Sequence, residues 1–380
     1  MKNYLRAVLT LVILTLPPAH RAQGQVFAPG SRLIVAEGSG EIVLVDLNRD
    51  GHLDLLTKHL LSRLVEVRLG DGTGFSVAGH RVVFDYQPGA IALGDINGDR
   101  VHDLIVARKD DRREYVHVFA GDGSGRFTEV RTSPTNVSAA IQTYKPALFI
   151  VDINEDGKSD IVTANGRRNT VEILFGDNLG HFSLERTLTM EAGHDNYSLG
   201  IGDVDGDGHL DIATAMSVDA TRGRVAVMRG NGKGEFTDMR APLSVAANPA
   251  ARALADLNAD GHLDIVLTHG RGTTIDVLWN DGKGVFRAAA FSPYQIGAEA
   301  FAVVAVDLNN DRKTDLVAAT VNSVTVLQNA GDRFAGAPGS PFRSGPGTYH
   351  VAVGDVNEDG KLDVAASSFE GDSVTLMLGL

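Results

Sequence analysis

Asp203-Val-Asp205-Gly-Asp207-Gly-His209-Leu-Asp211 sets four carboxylates at positions 1, 3, 5 and 9 of a nine-residue stretch lying between two apolar runs. Carboxylates at that spacing can converge on one hard cation, and the backbone carbonyl of position 7, here His209, supplies a further oxygen. Gly208 at position 6 permits the sharp turn, since a positive φ costs glycine nothing. Without a cation, four like charges this close would repel strongly. The stretch therefore implies a counter-ion, and Ca²⁺ suits an all-oxygen set.

One such loop is weak evidence, because Asp, Asn and Gly also build ordinary Asx turns. The pattern recurs seven times. Reading positions 1, 3, 5, 7 and 9, the first three loops are Asp46, Asn48, Asp50, His52 and Asp54; Asp95, Asn97, Asp99, Val101 and Asp103; and Asp152, Asn154, Asp156, Lys158 and Asp160. The fourth is Asp203, Asp205, Asp207, His209 and Asp211, followed by Asp256, Asn258, Asp260, His262 and Asp264. Asp307, Asn309, Asp311, Lys313 and Asp315, then Asp355, Asn357, Asp359, Lys361 and Asp363, complete the set. The first Asp residues are spaced by 49, 57, 51, 53, 51 and 48 residues, a period that simple turn chemistry would not keep together with every oxygen position. Position 7 contributes only its carbonyl, so its side chain is free to vary. The expectation is up to seven bound Ca²⁺ ions.

Each loop follows one short apolar run and precedes another, as in Glu41-Ile-Val-Leu-Val-Asp46 and Asp54-Leu-Leu-Thr. These β-branched runs bounded by turn residues predict strands. An EF-hand is excluded, because its flanks are helices and its closing ligand is a Glu at position 12. A third alternating run follows, such as Val225-Ala-Val-Met-Arg-Gly230, and then a Gly-rich turn and a Phe, such as Asn231-Gly-Lys-Gly-Glu-Phe236. Those glycines lack the strand-to-helix context and Gly-Lys-Ser/Thr ending of a phosphate loop. One repeat is thus a four-stranded antiparallel blade, and the expected fold is all-β: a seven-bladed β-propeller. The seventh repeat stops at Leu380 after three strands. Val26 to Ala36 has the Phe and apolar run of the missing strand, and pairing it with the last blade closes the ring and removes an exposed edge.

The unit strand-Asp-x-Asn/Asp-x-Asp-Gly-x-x-Asp-strand, followed by Val-x-Val-Leu-x-Gly-x-Gly-x-Gly-x-Phe, resembles the FG-GAP/VCBS repeat, also found in the propeller of integrin α subunits. The resemblance spans about residues 26–380. It implies Ca²⁺ in the seven loops above. Arg100 and Arg312 depart from it by replacing the position 6 glycine. A non-glycine residue at positive φ costs about 1 kcal/mol, so these two sites are expected to be weaker.

Residues 1–24 read as a secretory signal: Lys2 and Arg6, an apolar run from Ala7 to Leu16, and a small-residue site at Ala22-Gln-Gly24. The apolar run ends at Pro17-Pro18, far short of the roughly 20 residues a membrane span needs. The expectation is an exported protein, periplasmic or extracellular, with the propeller over residues 25–380. The chain has no Cys, so bound cations take the place of disulfides as the staple. Its net charge is −13, and 22 of the 48 acidic residues occupy loop positions, so the acidity is metal-site acidity and no basic stripe points to nucleic acid.

The loops between first and second strands occupy one face of a propeller. The opposite face then receives Tyr86, Tyr144, Tyr197, Tyr294 and Tyr349, with Arg112, Arg113, Arg167, Arg168, Arg222, Arg224, Arg271, His59 and His269 in the loops between second and third strands. Tyr144, Tyr197, Tyr349, Arg167, Arg224 and Arg271 are the expected ligand-binding residues. Such a face suits a protein or glycan partner, anionic where the guanidinium groups pair with carboxylates. The plain alternative is that these Tyr side chains fill space between blades. Segments 128–145 and 217–224 are expected to rise on this face as insertions. No Gly-x-Ser-x-Gly elbow, His-Glu-x-x-His helix or Cys nucleophile is present. A non-enzymatic recognition module is the main expectation; a polysaccharide lyase using Tyr197, Tyr349, His350 and His194 is the runner-up, and a purely structural module of a surface assembly the third.

Overall fold

A computed structural model describes residues 27–28, 30–76, 79–109, 114–130, 135–137, 147–165, 170–189, 194–219, 221–270, 272–331 and 333–380. The expected signal segment lies outside the described residues. Among the described residues there is no helix, and so none long and apolar enough to cross a membrane.

The strands form seven antiparallel sheets. Blade 1 runs Ser39–Val45, Asp54–His59, Leu64–Arg68 and His80–Val83. Blade 4, the most extended, runs His194–Gly202, Asp211–Ser217, Arg222–Gly230 and Phe236–Ala246. The first strand of each blade lies against the first strand of at least one neighbour, and those of blades 4 to 7 and 1 pack in an unbroken series; in every blade the loop carrying the Asp residues joins the first strand to the second.

Ring closure follows the expected route. Ser31–Ile34 is the outer strand of blade 7, with Ser31 opposite Leu376 and Ile34 opposite Ser373, and Phe27 bridges Gly379. The chain then crosses into blade 1, held where Arg68 Nη2 donates to Ile34 O (2.7 Å) and where Gly38 N donates to Asp372 Oδ1 (2.9 Å).

The core lies between blades rather than within them. Ala213, Ala215, Val225 and Val227 of blade 4 meet Leu254, Ile265, Leu267 and Leu278 of blade 5; Ile42, Leu44 and Leu55 of blade 1 meet Val356, Ala365 and Val374 of blade 7. Each large side chain so buried contributes about 2 kcal/mol, and no blade can bury its faces alone.

The outer strands depart from the simple pattern. In blades 2, 5 and 6 the fourth strand is two short pieces: Phe127–Glu129 with Thr135–Val137, Phe286–Ala288 with Tyr294–Gln295, and Phe334–Gly336 with Phe342–Arg343. Pro293 and Pro341 interrupt the last two, since proline has no N–H for the ladder. Ser292 Oγ and Ser340 Oγ take over by accepting from Val277 N (3.1 Å) and Val326 N (2.9 Å). Of the two expected insertions, Thr135–Val137 pairs with Glu114–Val116, and the second and third strands of blade 4 run on until Ser217 stands opposite Gly223, each segment satisfying amides on an existing sheet; residues 131–134, 138–146 and 220 lie outside the described residues.

Candidate functional site

All seven Asp loops share one backbone. The position 6 amide donates to the first Asp at 2.7–3.0 Å. The position 7 amide donates to the Asp of position 5 at 2.7–2.9 Å. Arg100 and Arg312 take φ +68°, so both loops keep the left-handed turn without glycine. Position 4 is left-handed as well, at Arg49, Gly98, Glu155, Gly206, Ala259, Asn310 and Glu358. This second constraint is not legible from residue type, because five of these seven residues are not glycine.

The ninth position carries a further role. Asp54, Asp103, Asp160, Asp211, Asp264, Asp315 and Asp363 are fully buried. One oxygen of each accepts the amide that ends the third strand: Gly70, Gly121, Gly176, Gly230, Asn280, Asn329 or Gly379, at 2.7–2.9 Å. In six loops the other oxygen accepts the position 2 amide. The carboxylate therefore ties first, second and third strands together. Gly70, Gly121, Gly176 and Gly230 are needed there: a Cβ would sit 2.1–2.2 Å from the position 8 carbonyl oxygen. In blades 5 and 6 the residue is Asn, and its amide reaches into the preceding blade, Asn280 Nδ2 to Val204 O (2.7 Å) and Asn329 Nδ2 to Leu257 O (2.6 Å). The sequence signal for this staple is the Gly or Asn that closes each third run.

The electrostatics fit a cation. Burial, opposed by the two amides and helped by the Asp residues of the same loop, pushes Asp160, Asp211 and Asp264 up to about 6. In loop 203–211, oxygens of Asp203, Asp205 and Asp211 all lie within 4.8 Å of one another. Arg229 approaches from the third strand, Nε 2.6 Å from Asp205 and Nη2 2.8 Å from Asp207. The other six loops carry Asn at position 3. Adjacent loops also touch: His209 Nδ1 lies 2.8 Å from Glu155 Oε1, and His52 pairs with Glu358 across the closure of the ring. Each Glu raises the pKa of its His.

The opposite face is less uniform. Tyr144, Arg167 and Arg271 lie outside the described residues, as do Arg112, Arg113 and Arg168, and Tyr197 is placed only by its backbone on the inner strand of blade 4. Arg224 is half-buried on the third strand of that blade, opposite Met216 and Ser244. Tyr349, on the inner strand of blade 7, stacks on Phe301 of blade 6 (6.2 Å, 18°) and lies 6.3 Å from Phe369. Three residues assigned to this face are interior. Tyr86 is buried, stacked on His117 at 4.5 Å under the Arg108 guanidinium. His59 and His269 are buried beside Glu66 and Asp276. Each ends a second strand and turns onto the third strand of its own blade, so both are interior and not at solvent.

The FG-GAP-like repeat matches residues 95–163, 152–214, 216–267, 256–318 and 307–366. No curated protein matches. Among solved structures, an Agrocybe aegerita lectin, described for specific recognition of non-reducing terminal N-acetylglucosamine, is similar with a TM-score of 0.52 at 19% identity, over 78% of this chain and 79% of that one. A Lactobacillus plantarum protein is similar with a TM-score of 0.57 at 15% identity, over 89% and 91%. At such identities the likeness is one of fold. The repeat family covers well over half of the chain, and the chain belongs to the FG-GAP-like repeat family as a seven-bladed β-propeller.

Proposed function

We propose that this is an exported, calcium-stapled propeller that recognises a glycan or protein partner and performs no chemistry on it. The convergence of Asp203, Asp205 and Asp211 inside a pre-turned loop carries the calcium half of the reading. In each loop the oxygens of positions 1, 3, 5 and 9 and the position 7 carbonyl would hold the ion, which would neutralise a buried carboxylate cluster. Loop 203–211, with Asp in place of Asn at position 3, would bind most tightly.

The recognition half is supported by the fold it shares with a lectin. A lyase reading finds less support. Burial, and then the charge of Glu41, raise the Tyr349 hydroxyl above its ordinary value, the opposite of what a proton-abstracting base requires. The deciding experiment pairs a glycan array with a turnover assay on the same Ca²⁺-loaded protein. Binding without new chain ends is the expected result. Cleavage of a uronate polymer would replace this reading with the lyase.

A further inference from the structure

Asparagine at loop position 3 does two jobs, of which aspartate can do only one. Its side-chain oxygen accepts the position 5 amide, and Asp205 does the same; the seven contacts run from 2.9 to 3.2 Å. Its side-chain amide also donates, reaching Oδ2 of the position 5 Asp at 2.8–3.4 Å in loops 1, 2, 5, 6 and 7. In loop 3, Lys158 Nζ stands 3.3 Å from the same oxygen of Asp156. An ionised carboxylate has no proton to donate. Asp205 therefore deprives Asp207 Oδ2 of that donor and sets a second negative charge beside it.

Arg229 makes good both deficits. Its Nη2 donates to Asp207 Oδ2 (2.8 Å) and its Nε lies 2.6 Å from Asp205 Oδ2, so one planar guanidinium bridges the two carboxylates. The extra acid and the arginine occur in the same blade. Elsewhere the residue before the end of the third strand is Leu69, Ala120, Phe175, Trp279, Gln328 or Leu378, none of them charged. Counted with Arg229, the four Asp of loop 203–211 carry the charge of the three Asp in each other loop. Asp205 is also one of the three acids whose oxygens converge, so the arginine and a bound Ca²⁺ would call on the same side chain. The Asp205 side chain is buried (6% exposed), whereas half of the Arg229 side chain is open to water (48%), so the arginine is the partner free to move.

We propose that Arg229 is the resident counter-ion of the fourth loop, standing in for the asparagine amide of the other loops, and that Ca²⁺ enters this loop by displacing the guanidinium to solvent. The fourth carboxylate gives the loop its added pull on the ion, and Arg229 offsets part of it. The inference rests on the calcium reading above and adds its regulation at one loop.

Two measurements on the full chain test it. In chelator, denaturant midpoints are compared for wild type, Asp205→Asn, Arg229→Met and the double variant. Arg229→Met should lower the midpoint. The same change made on top of Asp205→Asn, which restores the side chain of the six other loops, should cost little, because the new amide takes over from the guanidinium. An equal loss in both backgrounds would overturn the substitution and leave Arg229 a packing residue.

Ca²⁺ is then titrated in competition with a chromophoric chelator. One equivalent should tighten about tenfold in Arg229→Met. No such gain should appear in the double variant, or in Arg222→Met, which removes an equal charge from the hairpin at the other end of the strand. Unchanged binding in Arg229→Met, or an equal gain in Arg222→Met, would overturn the displacement. A wild type that binds no Ca²⁺ would remove the calcium reading and the displacement with it, while the midpoints in chelator would still decide whether Arg229 replaces the asparagine.

Discussion

The two faces of the ring solve the same problem in different ways. On the loop face, seven repeats use one solution: two left-handed residues, a first Asp capping the turn, and a buried ninth Asp that in all blades but the sixth ties three strands. On the other face each blade is filled differently. Blade 1 buries His59, Glu66 and Arg68, blade 5 has His269 on Asp276 (3.1 Å), and blade 6 links the Thr320 and Thr325 hydroxyls (3.1 Å). The contrast teaches where the repeat is rigid. A loop whose amides must reach two carboxylates at fixed positions tolerates little shift of its backbone, whereas a buried polar patch needs only that its groups find partners.

The largest effect should come from metal removal. Each occupied loop adds up to about 4 kcal/mol when Ca²⁺ exceeds its dissociation constant a thousandfold, so chelation should lower the melting temperature steeply and release five to seven ions per chain. An unchanged melting curve with no bound metal would reduce the loop face to hydrogen-bonded turns and erase its difference from the other face.

Next comes the ninth carboxylate itself, measured in chelator so that metal plays no part. Asp211→Ala strands the amides of Val204 and Gly230, at a cost of about 3–5 kcal/mol. Asp315 accepts the Asn329 amide at 2.7 Å but meets the Leu308 amide only outside good hydrogen-bond geometry, so Asp315→Ala should cost less. Denaturant midpoints in the reverse order would show that the staple is not the source of the uniformity.

The opposite face should reveal itself through pH. Burial holds His59 down at about 4 against an ordinary 6.5, outweighing the nearby Glu66, while Arg81 and Arg68 push the same way as burial. Between those values the unfolded chain binds a proton that the folded one does not, so this group's contribution is full above pH 6.5 and is lost as pH falls towards 4. The linkage amounts to about 3 kcal/mol at most. His59→Gln should flatten that slope in urea titrations from pH 7 to 4. An identical slope in the variant would assign acid sensitivity elsewhere.

The smallest effect tests the turn. Arg312→Gly relieves a φ of +68° on an arginine and should stabilise the metal-free protein by up to about 1 kcal/mol, less the entropy glycine adds to the unfolded chain. A loss of stability would mean that the Arg312 side chain contributes more than its backbone costs.

Much of the architecture was legible in the chain. Strand period, loop spacing and the Val26–Ala36 segment gave seven blades and their closure, because alternating side chains and turn residues act over four to nine residues and repeat. The loop oxygens could be named for the same reason. What could not be read was which polar groups are interior. Tyr86, His59 and His269 sit where loop residues were expected, yet Tyr86 packs among blade 1 residues tens of positions earlier, and His59 and His269 turn onto Glu66 and Asp276 of the adjoining third strand.

Local backbone geometry, set by Asp, Asn and Gly at fixed intervals, was thus determined by the sequence alone. The double duty of the ninth Asp, the pairing of Arg229 with the fourth loop and the contact of Tyr349 with Phe301 and Phe369 were decided only by the tertiary structure. Each depends on which side chain a neighbouring strand or blade brings within about 3–6 Å, the range of hydrogen bonds and ring contacts, and no periodicity within one repeat specifies that.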